Sequence, residues 1–352
     1  MYPRINIDLN KLEENCETFL KQCKDNHITS CFAVVKVLAG NLEAIEMIAK
    51  SGFDYLADSR LDNLKKMRLF TKPKALMRLP MISEAKAVVK YVDLSLNSEL
   101  KTIKKLNSEA KKLNKKHDII LMFDLGDLRE GIFYQDDYID IIDEILMLEN
   151  ICLRGIGTNL TCYGGVIPTA ENLSMLVKIA HTLENEFDIS FDIISGGNSS
   201  TVYLFNQQKI PEAINNLRVG EALLLGRETA YGHWIEGMHQ DIFTLEAELI
   251  EVKEKPSYPI GEIGMNSFGE IPIIENRGMM NRGIVALGKQ DIQIDNLIPI
   301  DPKIEVIGGS SDHLILDLKE AHYHVGDIVS FKVNYPGLLQ VMTSKYVKKN
   351  PK

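Results

Sequence analysis

Residues 119–124 read Ile-Ile-Leu-Met-Phe-Asp, five apolar side chains in a row followed by a carboxylate. A half-exposed strand alternates apolar and polar residues, whereas an unbroken apolar run is typical of a strand buried on both faces. Such strands belong to parallel sheets whose faces are covered by helices. The stretch therefore predicts an α/β protein.

Seven further apolar runs share this character, and most are separated by stretches with apolar residues at helical spacing. They are Ile28–Lys36, Tyr55–Asp58, Lys74–Arg78, Leu94–Asn97, Leu153–Asn159, Ile189–Ile194 and Asn216–Leu225. Eight strands with helices between them favour a closed (β/α)8 barrel of the TIM type over residues 9–230. An open doubly wound sheet remains the alternative on pattern alone.

The pattern changes near Gly232. From Ile242 onward the runs are short and strand-like, with Gly and Pro between them. This indicates a mainly-β C-terminal domain of residues 231–352. Residues 3–8 alternate like a strand, so we expect residues 1–8 to join that domain.

The composition argues against several classes of protein. The 352 residues are 45% hydrophobic and 25% charged with a formal charge of -9, whereas nucleic-acid binders present a basic face. The lysine-rich stretch 101–116 has apolar residues at helical spacing and is interpreted as a solvated helix face. Five cysteines without a CxxC pair indicate reduced thiols and no metal site. With no apolar signal core and no membrane-length run, we predict a cytoplasmic protein with no membrane partner.

Three features follow the predicted strands, at the end of a barrel where active sites lie. Lys36 ends the first run, and burial makes a lysine amine nucleophilic, as a Schiff-base lysine requires. Residues 195–201, Ser-Gly-Gly-Asn-Ser-Ser-Thr, form a loop suited to a phosphate, and Arg218 lies on the eighth strand. A lysine at the barrel rim and an ordinary turn remain the plainer interpretations of the first two. Together the three features describe a site for pyridoxal 5′-phosphate.

Several motifs carry a resemblance to a known family. They are MYPRINID, DYLADSR, DLGDLREG, NLTCYGG, SGGNSS, NLRVGE, LLGRETAYG and PIGEIG, and they span nearly the whole chain. The chain resembles the alanine racemase family, enzymes with pyridoxal phosphate in a barrel followed by a β domain. The resemblance implies an amino-acid racemase, with ornithine as the first candidate substrate and lysine, alanine or serine behind it.

The resemblance also implies a role for individual residues. Lys36 would carry the cofactor and act as one of two acid/base groups, and Arg218 would face the pyridine nitrogen. An arginine there is always charged, which disfavours protonation of that nitrogen and favours simple reprotonation at Cα. The other implied cofactor contacts are Arg129, Asn159, Asn198, Ser199, Gly220, Glu221 and Tyr335.

The chain departs from the family at positions that matter for the chemistry. It lacks the tyrosine that follows the cofactor lysine, and Met122 and Asn159 replace a carbamylated lysine and a histidine. The catalytic tyrosine of the opposite face falls at Phe268, which cannot transfer a proton. Racemisation needs a proton donor on each face. Cys162 is our hypothesis for the second one, and a buried packing cysteine is the alternative.

The substrate and partners are expectations at this point. A diamino acid needs an acidic partner for its distal ammonium, for which Glu262, Asp291 and Asp312 are candidates and surface carboxylates the plainer interpretation. The resemblance implies a C2 homodimer whose β domains complete each other's sites. Two other functions stay open: an aldolase or dehydratase, disfavoured by the absence of cysteine from the β domain, and a cofactor carrier without turnover.

Overall fold

The computed structural model describes residues 1–352 and confirms the predicted barrel. The strands are β1 (Arg4–Ile7), β2 (Ser30–Val34), β3 (Tyr55–Asp58), β4 (Lys74–Leu76), β5 (Leu94–Asn97), β6 (His117–Asp124), β7 (Ile132–Phe133), β8 (Ile151–Thr158), β9 (Ile193–Ser195), β10 (Asn216–Val219), β11 (Phe243–Pro256), β12 (Met279–Val285), β13 (Leu297–Pro299), β14 (Glu305–Gly309), β15 (Leu314–Asp317), β16 (Ile328–Val333) and β17 (Lys348–Pro351).

Helices cover the barrel strands and one lies in the small domain. They are α1 (Leu9–Asp25), α2 (Leu42–Lys50), α3 (Leu61–Lys66), α4 (Ala85–Tyr91), α5 (Leu100–Lys112), α6 (Ile139–Leu146), α7 (Ala170–Phe187), α8 (Glu221–Leu225) and α9 (Tyr335–Thr343). None of them is long and apolar enough to cross a membrane.

Eight parallel strands close the barrel in the order β2, β3, β4, β5, β6, β8, β9 and β10, and β10 pairs again with β2. Closure excludes the open doubly wound sheet. β8 and β9 approach so closely that a Cβ on Gly155 would lie 1.8 Å from the Ile193 carbonyl oxygen. Buried apolar side chains from β2 to β6 and β9 form a packed cluster that includes Met122. Met122 therefore packs in the core of the barrel.

Local sequence accounts for the helix boundaries. The side chain of Thr169 accepts a hydrogen bond from the backbone of Asn172 in a capping box at the start of α7. Lysine-rich α5 buries Ile103, Leu106 and Ala110. Its lysines lie on the other side, which confirms the interpretation of residues 101–116 as a solvated face.

The last predicted strand of the barrel is partly wrong. The apolar run Asn216–Leu225 is a strand only as far as Val219, and residues 221–225 form α8. A short run of buried apolar residues has no alternation, so periodicity cannot separate a strand from a buried helix. The backbone of Gly220, with φ -130° and ψ -66°, makes the change of direction.

The chain divides into residues 10–240 and a second unit of residues 1–9 with 241–352. The first unit thus extends to residue 240, beyond the expected boundary at 230, because the Asn15 amide donates to the carbonyl oxygens of Leu223 and His239.

In the small domain the strands run in the order β13, β16, β11, β12, β15, β14, all antiparallel. β1 joins this sheet beside β11 and β17. Helix α9 was not predicted; Asn334 caps it by accepting from the Gly337 N–H.

Candidate active site

Arg218 on β10 is buried among the ends of the barrel strands, with 2% of its surface exposed. Nη2 donates to the Thr158 carbonyl oxygen at 2.7 Å, and Nη1 donates to the Ser195 hydroxyl. Nε is buried and has no hydrogen-bond partner. Burial lowers the pKa of Arg218 to about 10, which leaves the side chain charged at neutral pH. The site therefore has a fixed cation whose Nε donor is still unpaired.

The loop after β9 is tied to the start of α8. The Ser199 hydroxyl accepts from the N–H of Ala222 at 3.0 Å and of Gly220 at 3.4 Å. A hydroxyl that accepts two hydrogen bonds still has its own hydrogen to donate. Gly197, at φ +111°, has a backbone that other residues rarely adopt. The predicted phosphate loop and residues 220 and 221 thus lie together at the end of the barrel that carries Arg218.

Two asparagines and a cysteine form a network beside this loop. Asn198 Nδ2 donates to the Asn159 side-chain oxygen at 2.8 Å and to the Leu160 carbonyl oxygen at 2.9 Å. The sulfur of Cys162 accepts from Asn159 Nδ2 at 3.2 Å and from Asn198 Nδ2 at 3.4 Å. Cys162 is exposed. The alternative of a buried packing cysteine is therefore wrong, and three residues predicted separately are in contact.

Lys36 lies beyond the end of β2, on a single 3-10 turn of residues 36–38, and is exposed. The expectation that it ends a buried strand is wrong, because the strand stops at Val34. The charge of Lys36 acts on two carboxylates, buried Asp58 and partly buried Glu221. Burial raises the pKa of Asp58 to about 6, opposed by hydrogen bonds and by Lys36. Burial also raises the pKa of Glu221, opposed by its 2.6 Å ion pair with Arg227 and by Lys36.

Arg129 follows β6 and forms an ion pair with Glu130. Its guanidinium is partly exposed and lies within electrostatic range of Cys162 and Arg218. The loop that carries it turns back at Gly131, where φ is +129° and a Cβ would lie 2.5 Å from the Asp124 nitrogen. A glycine is therefore required for Arg129 to reach this position.

The predicted residues of the small domain have different environments. Tyr335 is half-buried at the start of α9, and Glu262 is exposed. Asp312 is exposed and accepts from His313 at 2.8 Å. Asp291 is only 5% exposed and accepts from the Ser344 hydroxyl at 2.6 Å. This structural contact disfavours Asp291 as a substrate-binding carboxylate, whereas Glu262 and Asp312 remain predictions.

Sequence reasoning missed two buried carboxylates. Asp58 accepts from the Arg60 N–H at 2.7 Å and the Asn63 amide at 3.1 Å. Asp127 is 0% exposed in the loop after β6. Both lie in motifs that carried the resemblance, and both follow apolar runs. The position of Asp58 at the end of a strand was a signal that could have identified it, whereas Asp127 lies three residues beyond the end of β6 and had no such signal.

The chain is similar to one family model and to two proteins of known name. The family model described as alanine racemase, N-terminal domain, matches residues 7–228. The chain is 50% identical to the ornithine racemase of Acetoanaerobium sticklandii over 99% of each chain. It is 39% identical to the lysine racemase of Thermotoga maritima, over 99% of this chain and 98% of that protein.

Solved structures share the fold at low identity. The alanine racemase of Clostridium difficile 630 is 18% identical with a TM-score of 0.75, and the match covers 100% of this chain and 96% of that one. The alanine racemase of Bartonella henselae, described with covalently bound pyridoxal phosphate, is 16% identical with a TM-score of 0.75 over 100% of each chain. At this identity the likeness concerns the fold.

Proposed function

The chain belongs to the alanine racemase family and is an amino-acid racemase, and we propose that it interconverts L- and D-ornithine with pyridoxal 5′-phosphate as its cofactor. The observation that carries the proposal for the cofactor is the buried guanidinium of Arg218. Its Nε is a charged donor without a partner, and a buried donor without an acceptor costs about 1–3 kcal/mol. A ring nitrogen supplies the acceptor.

The residues at the end of the barrel fit this cofactor. Arg218 would hold the ring nitrogen. Ser199 and the backbone at Gly220 and Glu221, where α8 begins, would hold the phosphate, since such groups donate to anions. Lys36 provides an exposed amine near this site, since its positive charge acts to lower the pKa of Glu221. Arg129, Asn159, Asn198 and Tyr335 are proposed as further cofactor contacts.

Proton transfer on the two faces of Cα is assigned to Lys36 and Cys162. When bound, pyridoxal phosphate withdraws electrons from the Cα–H bond of an amino acid and so acidifies it. Lys36 then removes or returns the proton on one face, and Cys162 does so on the other. Both side chains are exposed and so accessible to a substrate. Arg218 stays charged and disfavours protonation of the ring nitrogen, which favours return of the proton to Cα.

Ornithine is proposed as the substrate because the more similar of the two racemases compared above is named for it. Both are named for amino acids with a distal amine. The exposed carboxylates Glu262 and Asp312 are our candidates for binding that ammonium, since charge-assisted hydrogen bonds are stronger than neutral ones.

A homodimer is proposed as the working form. In the small domain, the segment between β11 and β12 exposes several apolar side chains, among them Ile260 at 92%, Met265 at 74% and Ile273 at 102%. Exposed apolar clusters of this kind mark interaction surfaces. Light scattering should give twice the chain mass. The cytoplasmic location stays a prediction.

Incubation with L-ornithine in deuterated water tests the function. The proposal expects D-ornithine, deuterium at Cα, and a yellow protein whose label borohydride fixes on the peptide of Lys36. A panel with lysine, alanine and serine tests the preference for ornithine. A coloured protein that neither exchanges nor converts any of these amino acids would be a carrier, and the proposal would be wrong.

The variant Cys162→Ser tests the second acid/base group. We expect interconversion to fall by about a hundredfold or more, the scale of a lost general acid or base. Exchange of one enantiomer should persist, because Lys36 still serves its own face. Interconversion at the parent rate would remove Cys162 from the mechanism. Cys152→Ser is the control.

A further inference from the structure

We propose that Asp127 is a positioning residue that holds the loop of residues 161–166, and with it the thiol of Cys162, in place for proton transfer. The inference rests on the proposed function, and in particular on Cys162 as the second acid/base group. Asp127 lies after β6, and the loop that it holds follows β8. The two strands are neighbours in the barrel.

The carboxylate of Asp127 accepts three backbone hydrogen bonds from this loop. One oxygen accepts from the N–H of Cys162 at 3.1 Å and of Tyr163 at 2.9 Å, and the other accepts from the N–H of Val166 at 3.0 Å. The backbone adds a fourth bond, from the Gly164 N–H to the Asp127 carbonyl oxygen at 3.1 Å. One residue therefore fixes both ends of the loop.

The loop needs such a constraint because its backbone is strained. Thr161 has φ +56°, the left-handed region. A β-branched residue is a genuine outlier there, at a cost of about 1–3 kcal/mol. Strain of this kind persists only where surrounding contacts hold it. Asp127 supplies those contacts next to the strained residue.

The thiol is held from two sides. Asp127 fixes the backbone of Cys162, and the amides of Asn159 and Asn198 donate to its sulfur. The thiol nevertheless stays exposed. A side chain that is fixed but accessible is what a proton donor requires, since reacting groups need a defined geometry.

Asp127 itself transfers no proton. It is 0% exposed, and both of its oxygens are occupied by N–H donors. Burial acts to raise the pKa of Asp127, but the N–H groups of Tyr163, Val166 and Cys162 outweigh it and hold the pKa below its ordinary value. The carboxylate of Asp127 stays ionised, and it affects the reaction only by holding the loop of residues 161–166 in place.

The test uses Asp127→Asn in the holoenzyme, with L- and D-ornithine in deuterated water. Asparagine replaces one acceptor oxygen by an NH2 group and so releases part of the loop. We expect interconversion to fall by about ten- to a hundredfold, since a shift of about 1 Å in a reacting group can cost about a hundredfold. Exchange on the face of Lys36 should change much less. Asp127→Glu keeps both acceptors and should recover part of the loss.

A second measurement does not depend on turnover. Alkylation of Cys162 by iodoacetamide, followed by peptide mass spectrometry, should be faster in Asp127→Asn, because the sulfur is freed from its fixed position. Alkylation of Cys152 in the same sample is the internal reference. Asp136→Asn removes an exposed carboxylate from the same segment and should behave as the parent in both measurements.

The outcomes are distinguishable. Parental interconversion and alkylation in Asp127→Asn would overturn the inference and leave the proposed function standing. A parallel fall of interconversion and of exchange on both faces, with no recovery in Asp127→Glu, would show a merely structural role and also overturn it. Parental interconversion in Cys162→Ser would overturn the role of Cys162 itself, and the inference would fall with it.

Discussion

Replacement of Asp58 by asparagine should make the protein more stable at neutral pH. The side chain is 0% exposed at the end of β3, and burial raises its pKa from 3.8 to about 6. At neutral pH the folded protein therefore holds a buried charge that the unfolded chain keeps in water. At about 1.4 kcal/mol per pKa unit, this difference corresponds to about 3 kcal/mol.

The pH dependence follows from the same difference in pKa. Between about pH 4 and pH 6 the folded state keeps a proton on Asp58 that the unfolded state has released, so the free energy of unfolding falls as the pH rises through this window. The neutral amide of Asp58→Asn has no such dependence. The variant should match the parent below about pH 4 and exceed it by about 1–3 kcal/mol at neutral pH; the lower figure allows for the lost acceptor opposite Asn63.

Urea unfolding from about pH 4 to pH 8, at one saturating concentration of pyridoxal phosphate, measures this difference. Asp62→Asn is the matched control. Asp62 is exposed on α3 and its pKa is lowered by the hydrogen bond from Lys65, and the loss of such an exposed ion pair should leave stability almost unchanged. An Asp58→Asn protein no more stable than the parent at neutral pH, or with the same pH profile, would refute the reasoning.

Two further variants test the barrel. Gly155→Ala places a Cβ 1.8 Å from the Ile193 carbonyl oxygen, so β8 and β9 must separate, and we expect a loss of about 3 kcal/mol or more in urea unfolding. Gly264→Ala meets nothing within 4 Å and should be neutral. Arg218→Lys keeps the positive charge but lacks the two-pronged guanidinium that reaches Ser195 and Thr158. We expect the free energy of unfolding to fall by about 1–3 kcal/mol. Cofactor binding, measured by absorbance titration, should also be weaker. Unchanged affinity in Arg218→Lys would contradict the assigned contact.

The barrel could be predicted from the sequence because its strands are continuous apolar runs with helical patterns between them. The run at Tyr55–Asp58 coincides with the observed strand, as does that at Leu94–Asn97. The run at Asn216–Leu225 did not end where the strand ends, because residues 221–225 are buried whether they form a helix or a strand. The apolar pattern at residues 221–225 indicates only that they are buried, and the turn of the backbone at Gly220 is what ends the strand and starts the helix.

Part of the candidate site could be proposed from residue types alone. A lysine after a strand, a Gly/Ser loop and an arginine on the last strand each indicated a contact with one group of a ligand. Asp127 could not be assigned in this way, because its partners are backbone N–H groups some 35 to 39 residues later. Only the pairing of β6 with β8 brings that loop to the carboxylate.

The pairing of β1 has a consequence for biosynthesis. Arg4 lies opposite Glu246 and beside Lys348, so β1 pairs with segments that the ribosome makes 242 and 344 residues later. While the segment 10–240 is being completed, residues 4–7 have no neighbour in their sheet. Contacts of such long sequence separation form slowly. A chain that stops before residue 348 leaves β1 with an unpaired edge, and an unpaired edge promotes aggregation.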